Sequence, residues 1–584
     1  MMLASLVQPG GLAAADSLSL SVPSIYRPAL PLLVRVEIRR DDGNVNRDVW
    51  DAEATLTVKP AEVALSTNRV VLRNGLGSGL VTFSGGGDLT LTATVDDLSA
   101  TRTLTHLAGA PTLRVGGTLT GAATTWRGWV QVTNDLTVPT GHTLTIEPNT
   151  LVAIDGVTSG TTAPDLIING TMLCLGTEDQ PVTITCSDAG RRWGQIRHDH
   201  AQPSMYRHTT ITLGGRAPGE GHTGTGPVIR ATGSTVIFER CNLTDQADPS
   251  GLPGKIMQAD GSDITFRDCL LARARMGPEI AGTALWCTNT WILEMRGPDD
   301  ADGIYIHSQQ TGQAAVLTHC VLAGGDDDGL DTLGSEVTVE GGIIRDWSNP
   351  AEDAKGISVF HGTTTVRRCL IVNCTDGIAA KSSGPLSRVN LEQSTVVGLR
   401  RGVAAAYKDT ATAGNIDFRA TNSILWAPDA VHSDFGPEKF MLAYCNASTN
   451  WPGAGNFTNE PLFLNAATNF HLQTDSPCVD AGDPALPLDP DWTRADVGAY
   501  PVFQAPIAPT LSLVGVAPDH SIRFTVGPDL RWASEVQASA DFGDWTTVAP
   551  LPLANGLIEW RDTNAAAHDR RFYRVRMGGA FSQP

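Results

Sequence analysis

The chain has 584 residues, too many for one ordinary hydrophobic core, so several domains are expected. Its formal net charge of −20 argues against nucleic acid or an anionic membrane as the main partner, because either would favour a basic face. The 60 glycines and the short segments rich in Val, Ile, Leu and Thr indicate an all-β protein.

The first 16 residues contain a run of small residues, Ala13-Ala14-Ala15, that resembles a signal cleavage site. They lack a basic region and a long apolar stretch, so we interpret them as the remnant of an export signal. No segment is long and apolar enough to span a bilayer. The sequence therefore predicts a monomer that is secreted or at the cell surface, without membrane insertion.

Residues 17–110 alternate polar and apolar positions in segments such as LLVRVEIRR and LTLTATV, and resemble bacterial immunoglobulin-like β-sandwiches. In residues 111–503, the phrases TLTIEPNTLV and INGTMLCLGTEDQPVTIT resemble the opening coils of secreted bacterial right-handed parallel β-helix proteins. A Pro-rich linker is expected at 504–510. Residues 511–584 have the pattern of a small C-terminal β-sandwich.

Five segments of the central region align on a glycine: DGIYIHS, DGLDTLGS, KGISVFHG, DGIAAKSSG and RGVAAAYK. The glycines are Gly303, Gly329, Gly356, Gly377 and Gly402, at spacings of 26, 27, 21 and 25 residues. A period in this range is typical of a solenoid, in which one supersecondary unit repeats. We therefore expect these glycines to lie in vertical register on successive coils.

Two columns of this alignment are apolar, one and three positions after the glycine, and are predicted to stack inside the helix. The position before the glycine carries Asp302, Asp328, Lys355, Asp376 and Arg401. These charges are expected to face solvent as a ladder on one flank.

The ten cysteines have no metal-ligand spacing. Four of them recur in similar contexts, at Cys241, Cys269, Cys320 and Cys369. A cysteine at one place in a repeat is predicted to be a small apolar interior residue, with disulfides possible but not required.

Four carboxylates fall within six residues, at Asp326, Asp327, Asp328 and Asp331, and Asp302 is expected one coil below Asp328. Like charges at about 4–5 Å repel by roughly 1 kcal/mol in water and by more at lower effective dielectric. A Ca²⁺ ion would relieve this repulsion, because it accepts irregular sets of oxygen ligands. The alternative is that these residues are acidic turns that favour solubility.

The same residues resemble the site of calcium-dependent pectate lyases of the lysine-base type. Those enzymes bind calcium through an Asp on one coil and a D-D-x-x-D set on the next, with a Lys on a later coil as the base. The resemblance covers roughly 60 residues and places the calcium ligands at Asp302, Asp327, Asp328 and Asp331. It places the base at Lys355, although the surrounding DAKGISVFHG matches less well.

The implied reaction is β-elimination on an acidic polysaccharide, in which calcium neutralises the uronate carboxylate and a neutral Lys removes the C5 proton. Lys381, one coil further on, is the second candidate base. Arg401 could hold a substrate carboxylate. The alternative role of Lys355 is simple ion pairing with the acidic column.

His307 and His361 are further candidates for proton transfer. Four aromatic residues could form sugar-stacking platforms: Tyr305, Trp347, Phe360 and Tyr407.

Two other functions stay open. A glycoside hydrolase would need two carboxylates about 5–10 Å apart, which the Asp326–Asp328 run and Asp353 could supply. Of the polygalacturonase hallmarks, only the acidic pair and an isolated His361-Gly362 are present. A non-catalytic adhesin or carbohydrate-binding scaffold fits the repeats and flanking sandwiches equally well.

Overall fold

The structure is a computed structural model. It describes residues 16–224, 226–246, 254–297, 300–349, 354–407, 414–489, 491, 493–504, 509–527, 529–530, 534–552, 554–555 and 557–577. The proposed export signal, Asp353, most of the linker and the last residues lie outside these ranges, as does the side chain of Tyr407. The described chain is almost entirely β-structure, and no helix in it is long and apolar enough to cross a membrane.

Eight strands form the N-terminal domain, in the pairing order β1-β3-β6-β5-β4-β7-β8-β2. Burial alternates along strands such as β7, as expected where one face covers a core. The strands are β1 Ser17–Ser21, β2 Ile25–Tyr26, β3 Leu32–Arg39, β4 Asp51–Lys59, β5 Arg69–Arg73, β6 Leu76–Val81, β7 Leu89–Val95 and β8 Leu98–His106.

In the residues that the structure describes, the central body is a parallel β-helix of 34 strands. Its first half contains β9 Leu113–Thr118, β10 Ala123–Trp126, β11 Trp129–Val138, β12 Thr143–Ile146, β13 Leu151–Ile154, β14 Leu166–Ile168, β15 Thr171–Leu175, β16 Val182–Cys186, β17 Ile196–Asp199, β18 Ser204–Arg207, β19 Thr209–Thr212, β20 Gly226–Thr232, β21 Thr235–Glu239, β22 Asn242–Thr244, β23 Gly254–Asp260, β24 Asp263–Arg267 and β25 Leu270–Ala274. Its second half contains β26 Met276–Ala281, β27 Ala284–Thr288, β28 Trp291–Met295, β29 Ile304–His307, β30 Ala315–Thr318, β31 Val321–Gly325, β32 Leu330–Glu340, β33 Ile343–Trp347, β34 Lys355–Arg367, β35 Leu370–Ser382, β36 Ser387–Glu392, β37 Thr395–Tyr407, β38 Ile416–Thr421, β39 Ile424–Trp426, β40 Asp429–Ser433, β41 Phe440–Ala443 and β42 Asn446–Ala447.

Each coil contributes to three parallel ladders. The first begins with β10, β12 and β15, and the second with β9, β11 and β13. The third ladder contains the candidate site and runs through β14, β17, β20, β23, β26, β29, β32, β34, β35, β37 and β40. From β32 onward, single long strands bend from one ladder into the next.

The predicted glycine column is confirmed. Ile304 pairs with Leu330, and the following pairs continue this register up to Val403 on β37, so the preceding glycines stack. A Cβ added to Gly303 would lie 2.4 Å from the carbonyl oxygen of Gly329, and one added to Gly377 would lie 2.5 Å from that of Gly402. Glycine recurs because a backbone carbonyl of the next coil lies too close to this position for a side chain to fit.

The prediction that the charged column faces solvent is wrong. Asp302, Asp328, Lys355 and Asp376 are all at least 96% buried. The position before the glycine is two residues from the inward position after it, and residues two apart in a strand share a side. Only Arg401 keeps appreciable exposure, with 24% of its side chain accessible.

The outward side of the third ladder instead carries the residues two positions after the glycine column, in which Val228 and Ile256 stand in place of glycine on β20 and β23. In register from β20 to β32 these are Arg230, Gln258, Glu279, Tyr305 and Asp331. We call this set the polar column.

The interior of the helix is apolar and contains stacked aromatic rings. Phe238 stacks on Phe266 at 5.1 Å between ring centroids. All ten cysteines are free and buried, which confirms the interior role predicted for the repeated ones. Trp347 also belongs to this core with no exposed surface, so it cannot be the sugar-stacking platform that the sequence suggested.

The N-terminal domain packs on the second ladder. A hydrophobic cluster joins Trp50 and Leu76 to Trp291 and other residues of the helix. At its edge, the buried guanidinium of Arg345 pairs with Asp51 at 2.6 Å and lies 4.2 Å from the Trp50 ring centroid.

The remaining strands follow the helix in chain order. They are β43 Phe463–Asn465, β44 Asn469–Leu472, β45 Thr510–Val516, β46 Ile522–Gly527, β47 Asp529–Leu530, β48 Ser534–Ser539, β49 Thr546–Leu551, β50 Ala554–Asn555, β51 Ile558–Asp562 and β52 Phe572–Met577. Short 3-10 helices cover Pro437–Lys439 and Ala565–Ala567. The strands from β45 onward form three small antiparallel sheets around a separate core.

Candidate functional site

Three of the predicted metal ligands meet at the start of the third-ladder strands. Asp302, Asp327 and Asp328 each offer a carboxylate oxygen, and these oxygens all lie within 4.8 Å of one another. Asp302 and Asp328 are buried, and Asp327 is half-buried. We call these three residues the acidic triad.

Burial raises the pKa of Asp302 well above its usual range, and the charges of Asp331, Asp328, Asp327 and Asp300 raise it further. The folded protein therefore disfavours a charged Asp302 carboxylate while its neighbours are also charged. A cation at the triad would reverse that preference.

The other two predicted ligands lie outside the triad. Asp326 pairs with Arg296 at 2.5 Å and accepts the backbone N–H of Gly297 at 3.1 Å. Asp331 belongs to the polar column, next to Tyr305 on the coil below. Its Oδ1 atom is buried and accepts no hydrogen bond within the described chain.

Lys355 contacts the triad directly. Its ammonium lies 3.4 Å from Oδ1 of Asp328, and its backbone N–H donates to the same oxygen at 2.8 Å. In turn, the backbone N–H of Asp328 donates to Oδ1 of Asp302 at 3.3 Å. The carboxylates of Asp302 and Asp328 therefore each accept a hydrogen bond from a backbone N–H of the next coil.

Lys381 lies between Phe360 and Ala406 in the ladder, and its side chain is half-buried. Among the described residues, its ammonium has no ion-pair partner. Arg401 lies 3.6 Å from Asp376, but Arg400 binds that carboxylate more closely, at 2.7 and 2.8 Å. The sequence reasoning did not single out Arg400.

The sequence reasoning also missed a polar network one and two coils below the triad. The buried Glu279 accepts a hydrogen bond from the ammonium of Lys255 at 2.5 Å. Nε2 of His307 lies 3.2 Å from the other oxygen of Glu279, and the backbone N–H of His222 donates to both oxygens at 2.9 and 3.0 Å. Lys255 also donates to Gln258 at 3.0 Å.

Burial raises the pKa of Glu279, but hydrogen bonding and charge from His307 and Lys255 outweigh it and lower the pKa to about 2. The carboxylate is therefore ionised at any ordinary pH. The network thus combines a fixed negative charge with two imidazoles.

One signal in the sequence could have found this network. A Cβ on Gly277 would lie 1.8 Å from the carbonyl oxygen of Gly303, so Gly277 is the next glycine of the column. It precedes Gly303 by 26 residues, one period of the repeat. Extending the alignment by that period places Glu279 directly below Tyr305. His222 has no such signal, because it reaches the site from a loop more than two coils earlier.

The other proton-transfer candidate, His361, is not part of this network. Its ring packs on Phe360 at 3.8 Å between centroids, and its Nε2 atom lies 3.5 Å from the Ser383 hydroxyl. Burial lowers the pKa of His361.

Tyr305 is 5% exposed, and its ring packs against His222 and His307, so it is not an open sugar platform. The half-buried Phe360 keeps part of its surface accessible.

Chemically, the third ladder presents oxygen ligands for a hard cation, an adjacent amine, and a phenol ring packed against two imidazoles. These are the components of cation-assisted acid–base chemistry. They lie on consecutive coils, spaced by about 4.8 Å, which is comparable to the length of one sugar unit.

Comparison with protein-family models found no match, and comparison with curated proteins found none either. Among solved structures, the chain is similar to an alginate lyase from Paenibacillus sp. str. FPU-7, with 13% identity and a TM-score of 0.19. That similarity covers 52% of this chain and 96% of the other.

Proposed function

We propose that the third ladder is the active face of a calcium-dependent polysaccharide lyase that cleaves a uronic-acid polysaccharide by β-elimination. The observation that carries this proposal is the convergence of three carboxylate oxygens within 4.8 Å, with the ammonium of Lys355 3.4 Å from one of them. A charged substrate needs a counter-charge and a base close together, and this arrangement supplies both.

The acidic triad fits calcium. All of its ligand atoms are carboxylate oxygens, which hard divalent cations prefer, and the site offers no sulfur or nitrogen ligand in the triad itself. When bound, calcium would neutralise the C6 carboxylate of the sugar and make its C5 proton more acidic.

Lys355 is the candidate base and Lys381 is the alternative. A lysine accepts a proton only as the neutral amine, and the ion pair with Asp328 favours the charged ammonium. Lys355 would therefore act as a base only when the charge of Asp328 is engaged elsewhere. Lys381 has no ion pair of this kind in the described chain and lies on the next coil. Arg400 and Arg401 would hold a further substrate carboxylate on the coil above.

The test is the ultraviolet absorbance of unsaturated products on a panel of uronate polymers, with calcium and with chelator. We expect product only with calcium. Polymer binding without any unsaturated product would overturn the lyase and favour the carbohydrate-binding scaffold.

The acidic triad is tested separately with Asp302→Asn and a matched control, Asp326→Asn, taken from the same acidic run but paired with Arg296. Asp302→Asn should abolish calcium binding in calorimetry and the rise in Tm that calcium gives the wild type. Without calcium it should melt higher than the wild type, because burial and the neighbouring carboxylates make an ionisable acid unfavourable at this position, whereas Asn carries no charge at any pH. Loss of calcium binding in Asp326→Asn but not in Asp302→Asn would contradict this assignment.

A further inference from the structure

A polar cleft lies between the N-terminal domain and one corner of the β-helix, outside the site described above. Its volume is about 290 Å³, close to the lower end of ligand pockets, which span roughly 300–1,000 Å³. The corner joins the first ladder to the second, as where β21 leads into β22, so the third ladder does not meet it. We call this space the interdomain cleft.

The helix wall of the cleft is a column of turn residues, one from each of five consecutive coils. These are His208, Arg240, Asp268, Asn289 and His319. Each has a positive φ, between 42° and 56°, a conformation that Asn, Asp and His adopt more readily than most residues. Each backbone N–H donates to a carbonyl of the next coil at 2.8–3.0 Å. The side chains are therefore held at coil spacing, about 4.8 Å, over roughly 19 Å in total.

The opposite wall comes from β3 and the segment that follows it. Arg35, Glu37 and Arg39 alternate with the core residues of β3, so they share the side that faces the helix. Arg35 donates to Glu37 at 2.7 Å and to Asn242 of the helix at 2.9 Å. The floor of the cleft is thus a buried polar contact between the two domains.

The cleft carries a local excess of positive charge. Within the described chain it is lined by five arginines and four carboxylates: Arg35, Arg39, Arg40, Arg47 and Arg240, with Glu37, Asp42, Glu178 and Asp268. The guanidinium of Arg47 donates to the backbone carbonyl of Gly341 at 2.7 Å and forms no ion pair in that part of the chain. In a protein with a net charge of −20, such a surface favours an anionic ligand.

The helix wall also offers uncharged polar groups. The imidazoles of His208 and His319 and the amide of Asn289 form no side-chain hydrogen bond within the described residues. Burial lowers the pKa of His208 and of His319, and the nearby charges of Arg240 and Arg47, respectively, lower it further. Both rings are therefore neutral at neutral pH, and each offers one donor and one acceptor nitrogen. Such groups match sugar hydroxyls, which also donate and accept.

We propose that the interdomain cleft is a binding site for an acidic oligosaccharide, in which Arg47 binds a carboxylate and the uncharged side chains of the helix wall bind sugar hydroxyls. One coil step of about 4.8 Å is comparable to the length of one sugar unit, so successive turn residues can contact successive sugars. An inorganic anion would occupy one coil and leave most of the column unused. The proposal goes beyond the lyase function and does not rest on it, because the two sites share no residue.

The test is calorimetric titration of the full chain with galacturonate and mannuronate tetrasaccharides, with chelator present so that the acidic triad holds no calcium. At least one tetrasaccharide should bind, and its binding should weaken as salt is raised. Arg47→Gln should weaken binding by about 10–100-fold, the range for a hydrogen bond to a charged group. The fully methyl-esterified tetrasaccharide, which has lost its charges, should bind to the wild type more weakly by a similar factor.

A second variant separates binding from folding. His319→Ala removes an exposed side chain, so Tm should stay unchanged while binding weakens by about 2–10-fold. The matched control is Arg69→Ala, which removes an exposed arginine of the N-terminal domain outside the cleft and should bind like the wild type.

An affinity that neither Arg47→Gln nor His319→Ala changes would place the sugar elsewhere and overturn the proposal, as would equal binding of the methyl ester. Displacement of the tetrasaccharide by equimolar inorganic phosphate or tetraglutamate would assign the cleft to a simple anion or an acidic peptide instead. A wild type that binds no tetrasaccharide would overturn the cleft site alone, because the lyase is judged by unsaturated product with calcium. Binding that depends on Arg47 in a protein that makes no such product would support the cleft and contradict the lyase.

Discussion

Asp328 connects the acidic triad to the rest of the third ladder. One of its oxygens accepts both the backbone N–H and the ammonium of Lys355, at 2.8 and 3.4 Å. Both residues are almost fully buried. Removing one partner of such a buried pair lowers the free energy of unfolding by about 3–5 kcal/mol. The effect of a substitution on activity must therefore be measured separately from its effect on stability.

Lys355→Ala is expected to abolish turnover while calcium binding persists, because the three carboxylates of the acidic triad remain in place. Lys355→Arg should restore much of the lost Tm but not the activity, since Arg stays protonated at working pH. Initial rates and calorimetry on the same samples separate the two effects. The control is Lys59→Ala in the N-terminal domain, where the side chain is exposed. Activity in Lys355→Arg near that of the wild type would transfer the role of base to Lys381.

Glu279 gives a prediction about pH. Its pKa in the folded protein is lowered to about 2, below the unfolded value near 4.5. Such a group contributes stability above the unfolded pKa and loses it as the pH falls through the folded one. At neutral pH this contribution is on the order of 3 kcal/mol.

Glu279→Gln should therefore lower the free energy of unfolding at pH 7, and the difference from the wild type should shrink as the pH falls from about 4.5 toward about 2. Denaturant titrations of both proteins across that range measure it. A difference that does not change with pH would show that Glu279 contributes through packing alone.

At the scale of the element, the glycine column sets how closely the coils stack. Gly377 lies against the Gly402 carbonyl, and a Cβ there would also come within 2.2 Å of Val396. These atoms belong to the backbone and the packed core, so they have little room to move. At this coil the third ladder has no room for a side chain in the glycine column.

Gly377→Ala should lower the free energy of unfolding by about 1–3 kcal/mol, the usual effect of overpacking. Its matched control is Gly79→Ala in β6, where the added Cβ would meet only Val70 at 3.8 Å. Chemical denaturation followed by circular dichroism gives both values. Equal effects of the two substitutions would mean that loss of backbone freedom, and not the close approach of the coils, decides the result.

At the scale of the whole molecule, the N-terminal domain is attached to the helix through buried polar contacts as well as the hydrophobic cluster. Arg345 donates to the backbone oxygen of Trp50 at 2.7 Å and to the side chain of Asn74 at 2.9 Å. Removing the guanidinium leaves both acceptors without this donor.

Arg345→Ala is expected to destabilise the protein by a few kcal/mol, on the order of 3, and to make the N-terminal domain more sensitive to protease. Arg367→Ala on the same helix is the control, because its ion pair with Glu392 is exposed and should contribute less than about 1 kcal/mol. Calorimetry and limited proteolysis of the two variants test this. Unchanged protease sensitivity in Arg345→Ala would show that the hydrophobic cluster alone holds the domains together.

The sequence by itself determined the repeat. The glycine period and the apolar columns follow from local chemistry, because a stacked coil needs a residue without a side chain where the next carbonyl approaches. The clustering of Asp302, Asp327 and Asp328 also followed from the period, since one repeat places residues on the same flank of adjacent coils.

Only the tertiary structure decided which charges are enclosed and which long-range partners meet. The charged column is buried, contrary to the sequence expectation. Its residues are two positions from the inward apolar residues, and residues two apart in a strand lie on the same side. The contact of His222 with Glu279 joins residues 57 positions apart through a loop that has no place in the repeat. A period in the sequence predicts only neighbours within that period. Contacts made by loops and by the flanking domain depend on how the chain closes in space.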